Sequence, residues 1–142
     1  MSKKPAKAQP ARTAAKVELP GVPIHRAAWK GDIEIVRQHL AAGTGVDAKN
    51  KWGSTALHYT ARGGKAAVAG LLVSNSADVN ARDADGLTPL HFAATAGHGE
   101  VAKLLIAKGA DVKAKGGESK ASPIFSAVTK SRGNLVELLL AN

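Results

Sequence analysis

The chain has 142 residues, 44% hydrophobic but only 4% aromatic, and a formal charge of +9. That length suits one ordinary domain whose core must be packed by Ala, Leu and Val. With no Cys there is no disulfide framework, thiolate nucleophile or Cys-based zinc site, and no apolar stretch approaches the ~20 residues that a membrane helix needs.

The first 21 residues read MSKKPAKAQPARTAAKVELPG. Lys3, Lys4, Lys7, Arg12 and Lys16 against Glu18 put +4 on residues 1–22 and leave +5 on residues 23–142. Rich in Ala, Pro and Lys and lacking an apolar run, segment 1–21 cannot offset its ordering entropy by burial, so a disordered basic tail is expected. It lacks the apolar centre of a secretory signal, and Pro5 and Pro10 oppose the amphipathic helix of a transit peptide. The expected compartment is the cytoplasm. The tail is either a solubilising or phosphate-attracting arm, or an inert extension.

From residue 22 the chain repeats. His25, His58 and His91 stand 33 residues apart in Val22-Pro23-Ile24-His25, Thr55-Ala56-Leu57-His58 and Thr88-Pro89-Leu90-His91, and Ser122-Pro123-Ile124-Phe125 follows after 34. A fixed period of this length means that small units stack side by side. The units run approximately over 22–49, 50–82, 83–115 and 116–142, so that 22–142 forms one repeat domain.

The third unit shows how each is built. Asp85-Gly86 is a tight-turn dipeptide. Thr88 can cap a helix with its hydroxyl, Pro89 follows at the first helical position, and Gly97 closes the helix in the left-handed conformation. Thr55, Gly31 and Gly64 hold matching positions in the earlier units. A second helix is predicted from about Gly99 to Lys108, with Val101, Leu104 and Leu105 forming an apolar stripe and Gly109 ending it. Isolated helices under ~12–15 residues are marginal in water, so these persist only by stacking. Ala27-Ala28, Ala61, Ala93-Ala94 and Ala127 keep the first helices slim enough to do so.

On these residues the chain resembles the ankyrin repeat family, whose T-P-L-H-x-A signature has this period. The resemblance covers 22–142 and implies an all-α solenoid of antiparallel helix pairs with β-turn fingers, about four repeats long with the last incomplete. It also implies a concave groove between the fingers and the first helices, and a structural role for His25, His58 and His91 in linking each turn to its neighbour.

A metal ion shared by the three histidines is excluded by spacing. Equivalent positions on packed helices lie ~8–10 Å apart, whereas zinc donors must lie within roughly 4 Å of one another. No metal and no cofactor are expected. Asp78 and Asp111 also repeat at 33, and nothing assembles a nucleophile, base and oxyanion site, so the chain is not expected to be an enzyme.

Breaks in the period carry information. Gly70 sits mid-helix where Arg37 and Lys103 stand in other units, costing about 1 kcal/mol relative to Ala. Ser76 replaces the helix-ending glycine found at 43 and 109 and is expected to strain a left-handed position. Repeat 2 is therefore expected to be the softest. Repeat 4 has an extra finger residue, Phe125 for His and Ser131 for Gly. Its outward face, including Leu135, Leu138 and Leu139, has no polar cap. Either the chain is a piece of a longer array, or this end packs against something, a second copy included.

By family analogy, binding falls on the finger tips and the exposed side of each first helix. These positions hold Arg26, Trp29 and Lys30, then Lys51, Trp52, Tyr59 and Arg62, then Asp85, Leu87, Phe92 and Thr95. Trp, Tyr and Arg dominate binding hot spots. A packing role is open beside this one, with Trp29 against Arg62 and Tyr59 against Phe92. Lys49, Arg82 and Lys115 recur at the finger bases, and with Lys51, Lys113, Lys120, Arg26, Arg62 and Lys130 they make this side positive, favouring an acidic partner. The expected function is a non-enzymatic protein–protein interaction module or scaffold. The alternative is a basic adaptor that binds nucleic acid or an anionic surface through the tail and the finger Lys and Arg.

Overall fold

The computed structural model describes residues 20–142. The tail expected to be disordered lies outside the described residues, apart from Pro20 and Gly21. Four helix pairs follow in order: α1 (Ile24–Lys30) with α2 (Ile33–Ala41), α3 (Ala56–Gly63) with α4 (Ala66–Ser74), α5 (Pro89–Ala96) with α6 (Gly99–Ala107), and α7 (Pro123–Thr129) with α8 (Gly133–Leu140). The first helices pack as one layer, α1 on α3 on α5 on α7, and the second helices as another behind it. The all-helical repeat architecture is the one that the resemblance implies.

Local chemistry sets each helix. The Thr55 and Thr88 hydroxyls accept from the amides of His58 and His91, and each Thr amide donates in return to the His Nδ1 at 3.0 Å. This reciprocal cap places histidine where a glutamate or glutamine usually stands. Repeat 1 has Val22 at this position and repeat 4 has Ser122, whose side chain makes no capping bond. The first helices of repeats 1–3 end at Gly31, Gly64 and Gly97, with φ of 82°, 70° and 82°. α6 stops one residue before the expected Lys108, which takes the cap position ahead of Gly109 at φ 95°.

Small side chains let the layers close. Ala27, Ala28, Ala61, Ala93, Ala94 and Ala127 are wholly buried. Leu57, Leu72, Leu90 and Leu105 fill the remaining space, and each fully buried leucine contributes about 1.5–3 kcal/mol. His39 occupies the Leu72 and Leu105 position in repeat 1; its Nε2 bonds the Val22 carbonyl at 2.8 Å and its Nδ1 the Thr44 hydroxyl at 3.1 Å. Those two bonds satisfy a polar ring that is buried at the first position of the stack.

The repeats are stitched together by polar contacts that single-repeat logic does not reveal. Asp83 Oδ1 accepts from the amides of Asp85 and Leu87 at 2.9 Å, shaping its finger, and Asn50 Oδ1 does the same for Trp52 and Ser54 at 3.0 Å. In the fourth finger Gly116 and Ala121 exchange two backbone bonds at 2.9 Å. Gly116 is required there because a Cβ would collide with the Gly86 carbonyl. The Ala84 amide donates to Trp52 O at 3.0 Å and the Gly117 amide to Asp85 O at 2.9 Å, joining successive fingers.

The structure adds two sets of contacts to the sequence reading and corrects it at α8. Lys49 and Arg82 keep their charge and also join the fingers: Lys49 Nζ donates to Arg82 O at 3.1 Å, and Arg82 Nη1 donates to Gly86 O and Lys115 O at 2.8 Å. Leu135 and Leu139, four apart on one helix face, turn inward and are buried, and Leu138 is half-buried; the exposed leucine of α8 is Leu140. Lys65, His98 and Arg132 each lie across the glycine stop of the preceding repeat, with His98 Nε2 on Arg62 O at 3.2 Å and Arg132 Nε donating to Thr95 O at 3.2 Å. Ser76 does take the left-handed backbone expected of it, at φ 71°, and Ser131 another at 57°.

Candidate functional site

Between α1, α3 and the finger at 50–54 lies an open hollow of about 580 Å³, lined by Pro23, His25, Arg26, Trp29, Asn50, Lys51, Trp52 and Tyr59. Its walls are mostly carbon. Trp29 is 50% exposed and Trp52 58%, so both tryptophans of the chain present a face to solvent here. Trp29 lies against the bare backbone of Gly63, where an added Cβ would come within 3.1 Å of Trp29 Cδ1. Lys51 Nζ sits 4.6 Å from the Trp52 ring centroid, a cation–π contact that keeps an ammonium at the rim. Asn50 Nδ2 donates to the Tyr59 hydroxyl at 2.9 Å. No carboxylate lines this hollow among the described residues; its charged groups are Arg26 and Lys51.

A second hollow of about 310 Å³ lies between α5, α7 and the fourth finger, with Leu87, Phe92, Thr95, Phe125 and Lys130 on its walls. It occupies the place of the first hollow, two repeats along: His91, Phe92 and Thr95 stand where His25, Arg26 and Trp29 stand, and Ser126 where Tyr59 does. Phe125 is 53% exposed, whereas His58 and His91, which precede it at this repeat position, are buried.

The sequence-predicted residues divide accordingly. Arg26, Trp29, Lys51, Trp52 and Tyr59 surround the first hollow, and Leu87, Phe92 and Thr95 belong to the second. Lys30, Arg62 and Asp85 are exposed but line neither. The packing contacts expected for the aromatics take a different form. Tyr59 meets His25 edge-on at 5.7 Å between centroids, and Phe92 meets His58 at 5.5 Å, so each ring touches the histidine of the preceding repeat. Trp29 has its close neighbour in Gly63, one residue beyond the expected Arg62. Sequence reasoning missed Asn50 and Phe125 as wall residues. Asn50 was visible only as the counterpart of Asp83, and Phe125 as a break in the histidine period.

The three periodic histidines are bonded to backbone. His58 Nε2 donates to Leu87 O and His91 Nε2 to Ala121 O, both at 2.9 Å, each crossing to the next finger. Because Nδ1 in both accepts a threonine amide, the proton resides on Nε2. His25 Nε2 instead bonds Ala48 O at 2.9 Å. Burial holds the His58 and His91 pKa below 6.5, outweighing the carbonyl bonds that favour the charged form. Among the described residues no group of three or more His, Cys, Asp or Glu is placed to hold a metal ion, and no helix is long and apolar enough to cross a membrane.

The family model for ankyrin repeats (three copies) matches residues 24–116. The chain belongs to the ankyrin repeat family. No curated protein matches it. Ankyrin repeats are generally protein–protein interaction modules and typically non-enzymatic.

Proposed function

We propose that this ankyrin stack binds an acidic segment of a protein partner on its concave face, with the hollow at Trp29, Trp52 and Tyr59 as the principal contact. The observation that carries this is the company the tryptophans keep: two half-exposed indoles and a tyrosine around one apolar hollow, flanked by Arg26 and Lys51 and by no carboxylate among the described residues. Aromatic anchors give large buried area at low entropy cost, and cationic rims select acidic partners and speed encounter. The neighbouring Lys49 and Arg82, held on backbone carbonyls, add positive charge on the finger side. Rigid walls add affinity because little freedom is lost on binding.

Peptide display against the full chain, counter-selected on the Trp29→Ala, Trp52→Ala double variant, tests this. The expected outcome is enrichment of peptides with Asp or Glu beside a Leu or aromatic residue. Their binding shifts tryptophan emission, since the chain has only these two Trp. Binding that survives both substitutions but collapses as salt is raised, with nucleic acid competing, would instead assign the basic surface to phosphate recognition.

A further inference from the structure

The two concave hollows are the same place in the repeat, occupied by different side chains and separated by two repeats. We infer that they take two apolar side chains of one extended, acidic partner segment, spaced six residues apart. This rests on the binding surface proposed above and adds the geometry of its ligand.

Spacing follows from the stack. Successive first helices pack directly on one another, α1 on α3 on α5 on α7. Packed helices stand about 8–10 Å apart, so two steps separate the hollows by about 16–20 Å. An extended strand rises about 3.3 Å per residue and spans about 20 Å in six. Its side chains alternate faces, so positions i and i+6 point the same way whereas i and i+5 do not. A polyproline II segment rises about 3.1 Å per residue with three residues per turn, and it too brings i and i+6 to one side over about 19 Å. A helical ligand rises only about 1.5 Å per residue and would need about twelve.

The ground between the hollows suits a chain passing over it. Tyr59 on the first hollow and Phe92 on the second hold the same repeat position in adjacent units, each packed edge-on against the histidine of the preceding repeat. The charged side chains that line the hollows are cationic: Arg26 and Lys51 at the first and Lys130 at the second, with Lys115 and Lys120 beside Phe125 in the adjoining depression, while Glu118 and Asp85 are exposed on the fingers nearby without lining either. No carboxylate lines any of the three among the described residues. The carboxylate of Asp83, which is nearby in the chain, is engaged with the Asp85 and Leu87 amides. The hollows differ in size, about 580 against 310 Å³, so the first takes the larger anchor.

The test uses the full chain and synthetic fluorescein-labelled peptides of Asp, Ser and Gly. Each carries either one Leu or two Leu at spacings of 2, 4, 6 or 8, and is read by anisotropy and tryptophan emission. The expected result is tightest binding at spacing six, at least about tenfold tighter than the single-Leu peptide, a gain of about 1.4 kcal/mol. Phe125→Ala, and independently Thr95→Trp, which fills the second hollow, are expected to remove that gain, bringing the spacing-six peptide to the affinity of the single-Leu peptide. Equal affinity at all spacings, with a Trp29 and Trp52 response intact, overturns the two-anchor geometry but leaves the surface standing. No emission change with any peptide overturns both.

Discussion

Repeat 2 carries two backbone faults that can be repaired separately. Gly70 lies in α4 with nothing within 4 Å of where a Cβ would stand, so Gly70→Ala adds a methyl group without a clash. It recovers about 1 kcal/mol of helix propensity. Ser76 holds φ 71°, where a residue with a Cβ is disfavoured by roughly 1–2 kcal/mol. Ser76→Gly removes that strain but returns about 0.4–1 kcal/mol through the freer unfolded chain, leaving a net gain of about 0.5–1 kcal/mol. The pair, acting on different backbone positions, should add to about 1.5–2 kcal/mol. For a stack of this size that is a rise in Tm of roughly 5–10 °C. Circular-dichroism melts give the total, and hydrogen exchange gives its location. In the parent chain, amides of α3 and α4 should exchange faster than those of α5 and α6, and the double variant should narrow the gap. Each repeat is stabilised through its neighbours, so a local repair also reads out globally. A parent chain in which repeat 2 is better protected than repeat 3, or a Gly70→Ala variant that melts lower, would refute the reasoning.

Further outcomes are expected from the same contacts. His58 and His91 have folded pKa values held below 6.5 by burial. Their contribution to stability is therefore fully present above 6.5 and lost as pH falls through the lowered folded values. Urea midpoints measured at pH 8 and pH 5 should drop on acidification, and an equal or higher midpoint at pH 5 contradicts this. Gly64→Ala should cost about 1–2 kcal/mol for its left-handed backbone, and more because the new Cβ would lie 2.6 Å from His98 Nδ1. The neighbouring Gly63→Ala would set a Cβ 2.5 Å from the Trp29 carbonyl oxygen and 3.1 Å from its Cδ1, and should both lower Tm and change tryptophan emission in the unliganded chain. Trp52→Ala, by contrast, removes a ring that is 58% exposed, and should leave Tm within about 2 °C of the parent. A larger loss would mean that Trp52 serves the fold rather than a partner.

The 33-residue period, the threonine caps and the glycine stops were legible in the sequence because each is a local backbone requirement, met by residues only a few positions apart. Spacing excluded an ion shared by the histidines, while their scaffold role was implied by the family resemblance, and the bonds from His58 to Leu87 and His91 to Ala121 show the form it takes. The surface residues could be named but not sorted. Nothing local to Tyr59 indicates that it meets His25, nor that Trp29 rests on Gly63 or that Arg82 spends its guanidinium on the carbonyls of Gly86 and Lys115. Leu135 and Leu139 likewise read as an open face until the turn of α8 set them against α6. These contacts join residues about one repeat apart, so they depend on the rise and rotation between units, which no single unit encodes. The sequence by itself determined the unit and its repetition; the tertiary stack decided which aromatics and cations face one another across a hollow, and which are used to hold the repeats together.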